Sequence, residues 1–228
     1  DLGVERLPEK VPAIQKQIIR LCNVKGVPVI TATQMLESMI QNARPTRAEA
    51  SDVANAIIDG TDAVMLSGES AMGEFPVQAV EMLARIAKEV EPTIAFPNHP
   101  PEKMDESHAI SEALNLIDGI LDLRCICAFT TTGYTASLAA AERPRAPIVA
   151  FTSDRQIYHR LNLIWGVKPL LLDEPVMSVE NLAEIVQAML YERGMAFPGD
   201  QVLIMGGSPI QKAVTTNFLK IYTLQPTE

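Results

Sequence analysis

Several short polar stretches in this sequence follow apolar runs, where side chains at neighbouring strand ends could act together. Thr33 follows one such run, and Ser67 and Glu69 follow the next. A threonine hydroxyl at a strand end can donate a hydrogen bond to a carboxylate ligand, and the serine and glutamate would line the same mouth if the strands are neighbours in a barrel. The alternatives are that Thr33 is simply a β-branched residue ending a strand, and that Ser67 and Glu69 form a turn with a solvated carboxylate.

The first three residues, Asp1, Leu2 and Gly3, form a second candidate site. Their backbone N–H groups would open a short helical turn, and the N-terminus of a helix binds anions. Gly3 would allow a ligand to approach the backbone because it has no Cβ. The alternative is that Asp1 is an ordinary N-cap residue, a common role for aspartate.

A third candidate site is the loop after the apolar run CICAF. It combines threonine hydroxyls, a glycine and the start of a helix, which together suit a phosphate group. The loop consists of Thr130, Thr131, Thr132, Gly133, Tyr134 and Thr135. Gly206, Gly207 and Ser208 follow a later strand and could close over the same ligand. The alternatives are that the first stretch is only a hydroxyl-rich turn and that neither stretch binds a ligand.

The composition excludes several classes of protein. Hydrophobic residues make up 47% of the chain and charged residues 21%, which is typical of a globular protein and not of a disordered one. The net charge of −9 disfavours nucleic acid as a partner. No apolar run approaches the roughly 20 residues that cross a bilayer, and the sequence has no stretch with the basic, apolar and small-residue pattern of a secretory leader, so secretion is not expected. Cys22, Cys125 and Cys127 are expected to be reduced thiols in a cytoplasmic protein.

Helical and strand patterns alternate along the chain, which predicts an α/β protein with parallel strands. Strands are predicted at 27–33, 62–67, 125–130, 147–152, 168–173, 201–206 and 218–224, and the last is expected to be antiparallel or at an edge because no helix precedes it. The proline-rich stretch FPNHPPEKM predicts a domain boundary near residue 98. Residues 1–98 hold two strands and could supply only the last quarter of a barrel of roughly 250 residues, so the chain is expected to be a fragment.

Four blocks in residues 1–92 resemble pyruvate kinase in their order and spacing: DLGVE, ITATQMLESM, ARPTRAEASDVANAI and VMLSGESAMGEFP. Residues 107–224 resemble the C-terminal domain of that family in the layout of their elements. The resemblance implies the last strands and helices of an incomplete (β/α)8 barrel in 1–98. It further implies a small α/β sandwich with a mostly parallel five-stranded sheet in 99–228, an allosteric and oligomerisation domain.

The resemblance also implies chemistry for the first part. The family transfers the phosphoryl group of phosphoenolpyruvate to ADP, giving pyruvate and ATP, with Mg²⁺ and K⁺ as cofactors. Asp1 would be a magnesium ligand, and Asp1, Leu2, Gly3 and Thr33 would contact the substrate. Thr33, Ser67 and Glu69 would be the catalytic residues of this chain, the last two in a water network that protonates the enolate. The second magnesium carboxylate and the K⁺ site would lie outside the chain.

For the second part, the resemblance implies that Thr130–Thr135 and Gly206–Ser208 hold the phosphate of an allosteric effector, in a homotetramer. Because most of the barrel is missing, the fragment is expected to be inactive. The alternative function is a non-catalytic module for effector binding and oligomerisation that carries a remnant of a barrel.

Overall fold

The alternating patterns produce two separate α/β units. The computed structural model describes residues 2–32, 34–94, 105–173, 176, 178–210 and 215–226. The chain divides into Asp1–Pro97 and Asn98–Glu228. None of the helices in this described part is long and apolar enough to cross a membrane.

The first unit combines helices with a small parallel sheet. Its elements are α1 (Leu2–Glu5), α2 (Val11–Lys25), β1 (Ile30–Ala32), α3 (Arg47–Ile58), β2 (Ala63–Met65), α4 (Gly68–Ala71) and α5 (Pro76–Val90), with 3-10 turns at Pro8–Lys10, Glu37–Ile40 and Glu91–Thr93. Strands β1 and β2 pair in parallel, with Thr31 opposite Val64. This agrees with the predicted order of elements.

Strand β1 is shorter than the predicted 27–33. Pro28 has no N–H to give to a neighbouring strand. The N–H of Val29 donates to a carboxylate oxygen of Asp62 at 2.9 Å and not to a backbone carbonyl. Regular pairing therefore starts only at Ile30.

Local sequence signals position the helices of this unit. Thr46 and Glu49 form a capping box at the start of α3, with the Glu49 N–H donating to Thr46 Oγ1 at 3.2 Å and the Thr46 N–H donating to Glu49 Oε2 at 2.7 Å. Pro76 begins α5, where its missing N–H costs nothing. The core packs α3 and α5 against the segment that follows β1, and it consists of Met35, Leu36, Met39, Val53, Ala56, Ile57, Ala79 and Leu83.

The second unit is a five-stranded sheet with helices on both faces. Its elements are α6 (Glu106–Ile120), β3 (Cys125–Phe129), α7 (Tyr134–Ala141), β4 (Ile148–Thr152), α8 (Arg155–Leu161), β5 (Val167–Leu171), α9 (Val179–Glu192), β6 (Gln201–Gly206) and β7 (Phe218–Thr223). The strand order is β5-β4-β3-β6-β7. Every pairing is parallel except that of β6 with β7, which is antiparallel at the edge as predicted.

Burial in this sheet follows from cover on two faces. All residues of β3 and β4 are buried, as expected for parallel strands between two layers of helices. Alternate residues belong to two hydrophobic clusters: Cys127 packs with Leu182 and Val186 of α9, whereas Ile126 packs with Leu114 of α6 and Ala136 of α7. The predicted mostly parallel sandwich is therefore confirmed.

Candidate functional site

Two of the predicted site residues, Asp1 and Thr33, lie outside the described residues. Leu2 and Gly3 belong to the short helix α1, in agreement with the predicted helical turn. Gly3 is exposed, and a Cβ built on it would have no atom within 4 Å. No other described residue of this chain therefore blocks the approach of a ligand to the backbone at Gly3.

Ser67 and Glu69 both follow β2, but their surroundings differ. Ser67 is exposed and stands directly before α4, whereas only 2% of Glu69 is exposed. Glu69 Oε2 accepts a hydrogen bond from the Ser67 N–H at 2.7 Å, and Glu69 Oε1 accepts one from the Leu36 N–H at 3.2 Å. The alternative of a solvated carboxylate is therefore wrong. The carboxylate is buried and links the segments that follow β1 and β2.

A second carboxylate holds the segment after β1 from the side of α3. Glu49 Oε1 accepts the Ser38 N–H at 2.7 Å, and Glu49 Oε2 accepts the Ser38 hydroxyl at 2.5 Å. Burial raises the pKa of Glu49, but the hydrogen bonds from Ser38 and Thr46 outweigh it, so the pKa lies below its usual value. The ionised form of Glu49 is the form that this arrangement favours.

Gln34 lies in the turn between β1 and the 3-10 turn Glu37–Ile40. Its φ is 58°, in the left-handed region that few residues other than glycine adopt. Gln34 is exposed, while Met35 and Leu36 directly after it are buried. The turn directs the chain into the core immediately after the position of Thr33.

In the second unit, the predicted phosphate loop connects β3 to α7. Gly133 has a φ of 91°, which requires glycine in practice. The Gly133 N–H donates to Thr130 Oγ1 at 2.9 Å, and the Tyr134 N–H donates to Thr132 Oγ1 at 3.4 Å. Thr130 and Thr135 are buried, whereas Thr131 and Thr132 are exposed. The buried hydroxyls hold the shape of the loop, and the exposed ones are available to a ligand.

The segment after β6 reaches the same place. Gly207 and Ile210 line a small cavity of about 30 Å³ together with Phe129, Thr130, Thr131, Thr132, Tyr134 and Thr135. This volume exceeds the roughly 10–15 Å³ that one water molecule needs, but it is too small to enclose a whole metabolite. Gly206 is the last residue of β6, and Ser208 is exposed beside the cavity.

Two residues that the sequence did not single out stabilise this segment. The Thr216 hydroxyl lies 2.8 Å from the Thr135 hydroxyl, and the Ser107 hydroxyl of α6 donates to the Thr216 carbonyl at 3.3 Å. Asn217 pairs with the backbone of Ser208 in both directions: the Ser208 N–H donates to Asn217 Oδ1 at 2.7 Å, and Asn217 Nδ2 donates to the Ser208 carbonyl at 2.8 Å. Neither contact belongs to a local motif that spacing alone would indicate.

Fold and sites together define a two-unit α/β protein with polar groups gathered where parallel strands end. A family model described as the barrel domain of pyruvate kinase matches residues 1–80, and one described as the alpha/beta domain of pyruvate kinase matches residues 108–222. The chain belongs to the pyruvate kinase family. The predicted fold class, the last part of a barrel followed by a small sandwich, is thereby confirmed.

Individual relatives give the same result. The chain is 44% identical to a pyruvate kinase of Sporosarcina psychrophila over 98% of its length, and 44% identical to one of Clostridium acetobutylicum over 99%. A crystal structure of a pyruvate kinase from Cryptosporidium parvum matches with a TM-score of 0.90 at 37% identity, covering 98% of this chain and 45% of that one. The chain spans 39% and 48% of the two bacterial relatives, less than half of their length.

Proposed function

We propose that this chain is part of an enzyme that transfers the phosphoryl group of phosphoenolpyruvate to ADP, giving pyruvate and ATP in the last step of glycolysis. The observation that carries the proposal is the match of two successive domains of one family, over residues 1–80 and 108–222. Its expected setting is a homotetramer in the cytoplasm.

Within this proposal the residues of the first unit have separate roles. Asp1, Leu2 and Gly3 would bind the substrate carboxylate through the N–H groups of the α1 turn, and Thr33 would donate its hydroxyl to the same carboxylate. Ser67 and Glu69 would belong to the catalytic mouth where the enolate is protonated. Fixed donors of this kind stabilise the charge that develops during phosphoryl transfer.

Asp1 is the residue of this chain proposed to bind Mg²⁺, which prefers hard oxygen ligands. Among the described residues there is no group of three or more His, Cys, Asp or Glu side chains that could hold a metal ion. The second magnesium carboxylate and the K⁺ site are proposed to lie outside this chain.

An assay of the purified 228-residue chain tests how much of the activity this part carries. We expect no pyruvate from phosphoenolpyruvate, ADP and Mg²⁺ in an assay coupled to lactate dehydrogenase, because the chain holds less than half of the length of its relatives. The longer protein encoded by the same gene is the control and should turn over. Turnover by the 228-residue chain would contradict the proposed division of the site, and no turnover by the longer protein would contradict the proposed activity.

The second candidate function is a non-catalytic module that binds a phosphorylated effector. The small cavity between the loop Thr130–Thr135 and the segment at Gly207 favours it. Its two exposed hydroxyls and the N-terminus of α7 would hold a phosphate group. The gene upstream of Asp1 distinguishes the two functions, because the enzyme requires further barrel strands there with a lysine and a glutamate.

Ligand binding to the 228-residue chain tests the effector site directly. Fructose 1,6-bisphosphate, glucose 6-phosphate, ribose 5-phosphate and AMP would be compared by thermal shift, where a ligand at a hundredfold excess over its Kd stabilises the folded state by about 2.7 kcal/mol. The double variant Thr131→Ala/Thr132→Ala should abolish the shift, while Thr223→Ala, an exposed threonine on β7, should keep it. A shift that survives the double variant, or no shift with any of the four, would contradict the site.

A further inference from the structure

Glu69 is a buried carboxylate whose two oxygens both face main-chain donors. The donors come from two different strand ends: the Leu36 N–H, 3.2 Å from Oε1, follows β1, and the Ser67 N–H, 2.7 Å from Oε2, follows β2. Leu36 is fully buried, so its N–H would lose its acceptor without gaining water if Glu69 were removed. The side chain thus serves as a bridge between two backbone segments.

These contacts match the hydrogen-bonding capacity of a carboxylate side chain. Each oxygen of Glu69 accepts one main-chain N–H group. A buried carboxylate is costly unless such donors compensate it. With both oxygens bonded to the main chain, the side chain joins the backbone of the two segments.

The two segments that Glu69 joins also touch directly. The Glu74 N–H donates to the Ile40 carbonyl at 2.8 Å. A Cβ built on Gly73 would lie 2.6 Å from the Glu69 carbonyl oxygen and 3.2 Å from the Ile40 Cα, so only glycine allows this approach. Residues 34–42 are therefore tied to the residues after β2 at two points, and to α3 through Glu49 and Ser38.

These contacts hold the segment that starts immediately after Thr33. Its first residue, Gln34, is in the left-handed conformation, which is costly for a residue with a side chain and persists only when the surroundings enforce it. The bond from Leu36 to Glu69 is two residues further on. A shift of this segment would move the neighbouring Thr33 with it.

We propose that Glu69 is a positioning residue of the catalytic mouth, which fixes the backbone after β1 and β2 through Leu36 and Ser67, and that it does not itself transfer a proton to the enolate. The proposal rests on the proposed function for its consequence in catalysis. The bridge itself can be tested without any activity.

Amide hydrogen exchange in the 228-residue chain tests the bridge. The Leu36 and Ser67 amides should exchange slowly in the unmodified chain, and about 10- to 100-fold faster in Glu69→Gln, because a hydrogen bond to the carboxylate is lost or weakened at each. Glu37→Gln removes an exposed carboxylate from the same segment and should leave both rates unchanged. If Glu69→Gln does not fold, the unmodified chain still decides: a Ser67 amide that exchanges at the rate of a free peptide would overturn the bridge.

Kinetics of the longer protein test the role in catalysis. Glu69→Gln should lower kcat by about 10²-fold, the cost of displacing a positioned group, with KM for ADP unchanged. Phosphoryl transfer and proton exchange of pyruvate should fall by the same factor, and the pH profile should keep its shape. A loss confined to proton exchange would show that Glu69 transfers a proton and would overturn the proposal. No activity in the unmodified longer protein would instead contradict the proposed function, and the exchange result would still decide the bridge.

Discussion

In the first unit the segment after β1 is held by two carboxylates, Glu49 and Glu69, whereas in the second unit the loop after β3 is held by the hydroxyls of Thr130 and Thr135. Carboxylates beside a site suit a substrate that arrives with a cation. Hydroxyls keep the loop neutral, so an anion can approach the N-terminus of α7 without repulsion. The two proposed sites thus differ in local charge, with carboxylates beside the first and neutral hydroxyls around the second.

The two units also differ in how far they bury their own apolar residues. Strands β3 and β4 of the second unit are buried throughout. In the first unit, Leu21 and Ile30 are 59% and 45% exposed, and Val77 on α5 is 65% exposed. Among the described residues, the second unit also exposes large apolar side chains, such as Leu116 and Ile120, but fewer of them than the first. We therefore expect the second site to work within this chain and the first to need the longer protein.

The largest expected effect is a loss of enzymatic activity when residues of the first site are changed, without a change in phosphate binding by the second unit. Asp1→Ala in the longer protein should remove nearly all activity, because the proposed magnesium site would lose one of its carboxylate ligands. Thr33→Ala removes one fixed donor and should cost about 10² to 10³ in rate. Steady-state kinetics measure both, and phosphate binding by the second unit should be unchanged in each. A loss below twofold for Thr33→Ala would refute its role.

A core substitution tests whether the second unit is stable by its own packing. Phe151 is fully buried in β4, so Phe151→Ala should lower the free energy of unfolding by about 3–5 kcal/mol. Phe197→Ala removes the same side chain where 60% of it is exposed, and should cost less than about 1 kcal/mol. Urea unfolding of the 228-residue chain compares the two. Equal losses would mean that the sheet of this unit is not the core that we describe.

A smaller effect is expected where hydroxyls hold the phosphate loop. Thr216→Val keeps the shape but leaves the buried Thr135 hydroxyl without this partner, which should cost about 1–3 kcal/mol and weaken phosphate binding. Thr215→Val changes the exposed neighbour and should do neither. Unfolding and thermal shift with ligand measure both quantities. If Thr216→Val left ligand binding intact, the hydroxyl pair would not contribute to the site.

The smallest expected effect is a dependence on pH, which contacts to a carboxylate should show and contacts to a hydroxyl should not. The pKa of Glu49 is lowered in the folded state, so its stabilising contribution is present above the unfolded pKa and is lost as pH falls through the folded value. The protection of the Ser38 amide, measured as its exchange rate relative to a free peptide at the same pH, should therefore decrease as pH falls through the folded pKa of Glu49, and Glu49→Gln should remove this dependence. The Gly133 amide, bonded to a threonine hydroxyl, should show no such step. The same pH dependence at the Gly133 amide would contradict the proposed difference between carboxylate contacts and hydroxyl contacts.

The fold of the second unit could be predicted because buried parallel strands are continuous apolar runs, and the capping box at Thr46 and Glu49 could be predicted because it is local. The bridge through Glu69 could not. Its carboxylate and Leu36 are 33 residues apart, and a glutamate in the polar stretch SGES is typical of an exposed turn. The contact between Thr135 and Thr216, which are 81 residues apart, could not be predicted for the same reason. Tertiary packing decides such contacts, and a single sequence contains no local signal for them.

The contacts of Asn217 affect which part of the connection between β6 and β7 can change in sequence among members of this family. Its side chain pairs with the backbone of Ser208, and its N–H donates to the Gly206 carbonyl at 2.9 Å, so the connection between β6 and β7 is closed at its base. Residues between the buried Ile210 and Thr216 can change in length and sequence while these two contacts are kept, since doubling the length of a loop costs only about 0.6 kcal/mol. Evolution, or an engineer, could exchange this stretch to alter which effector the proposed phosphate loop accepts while the strands beneath it stay as they are.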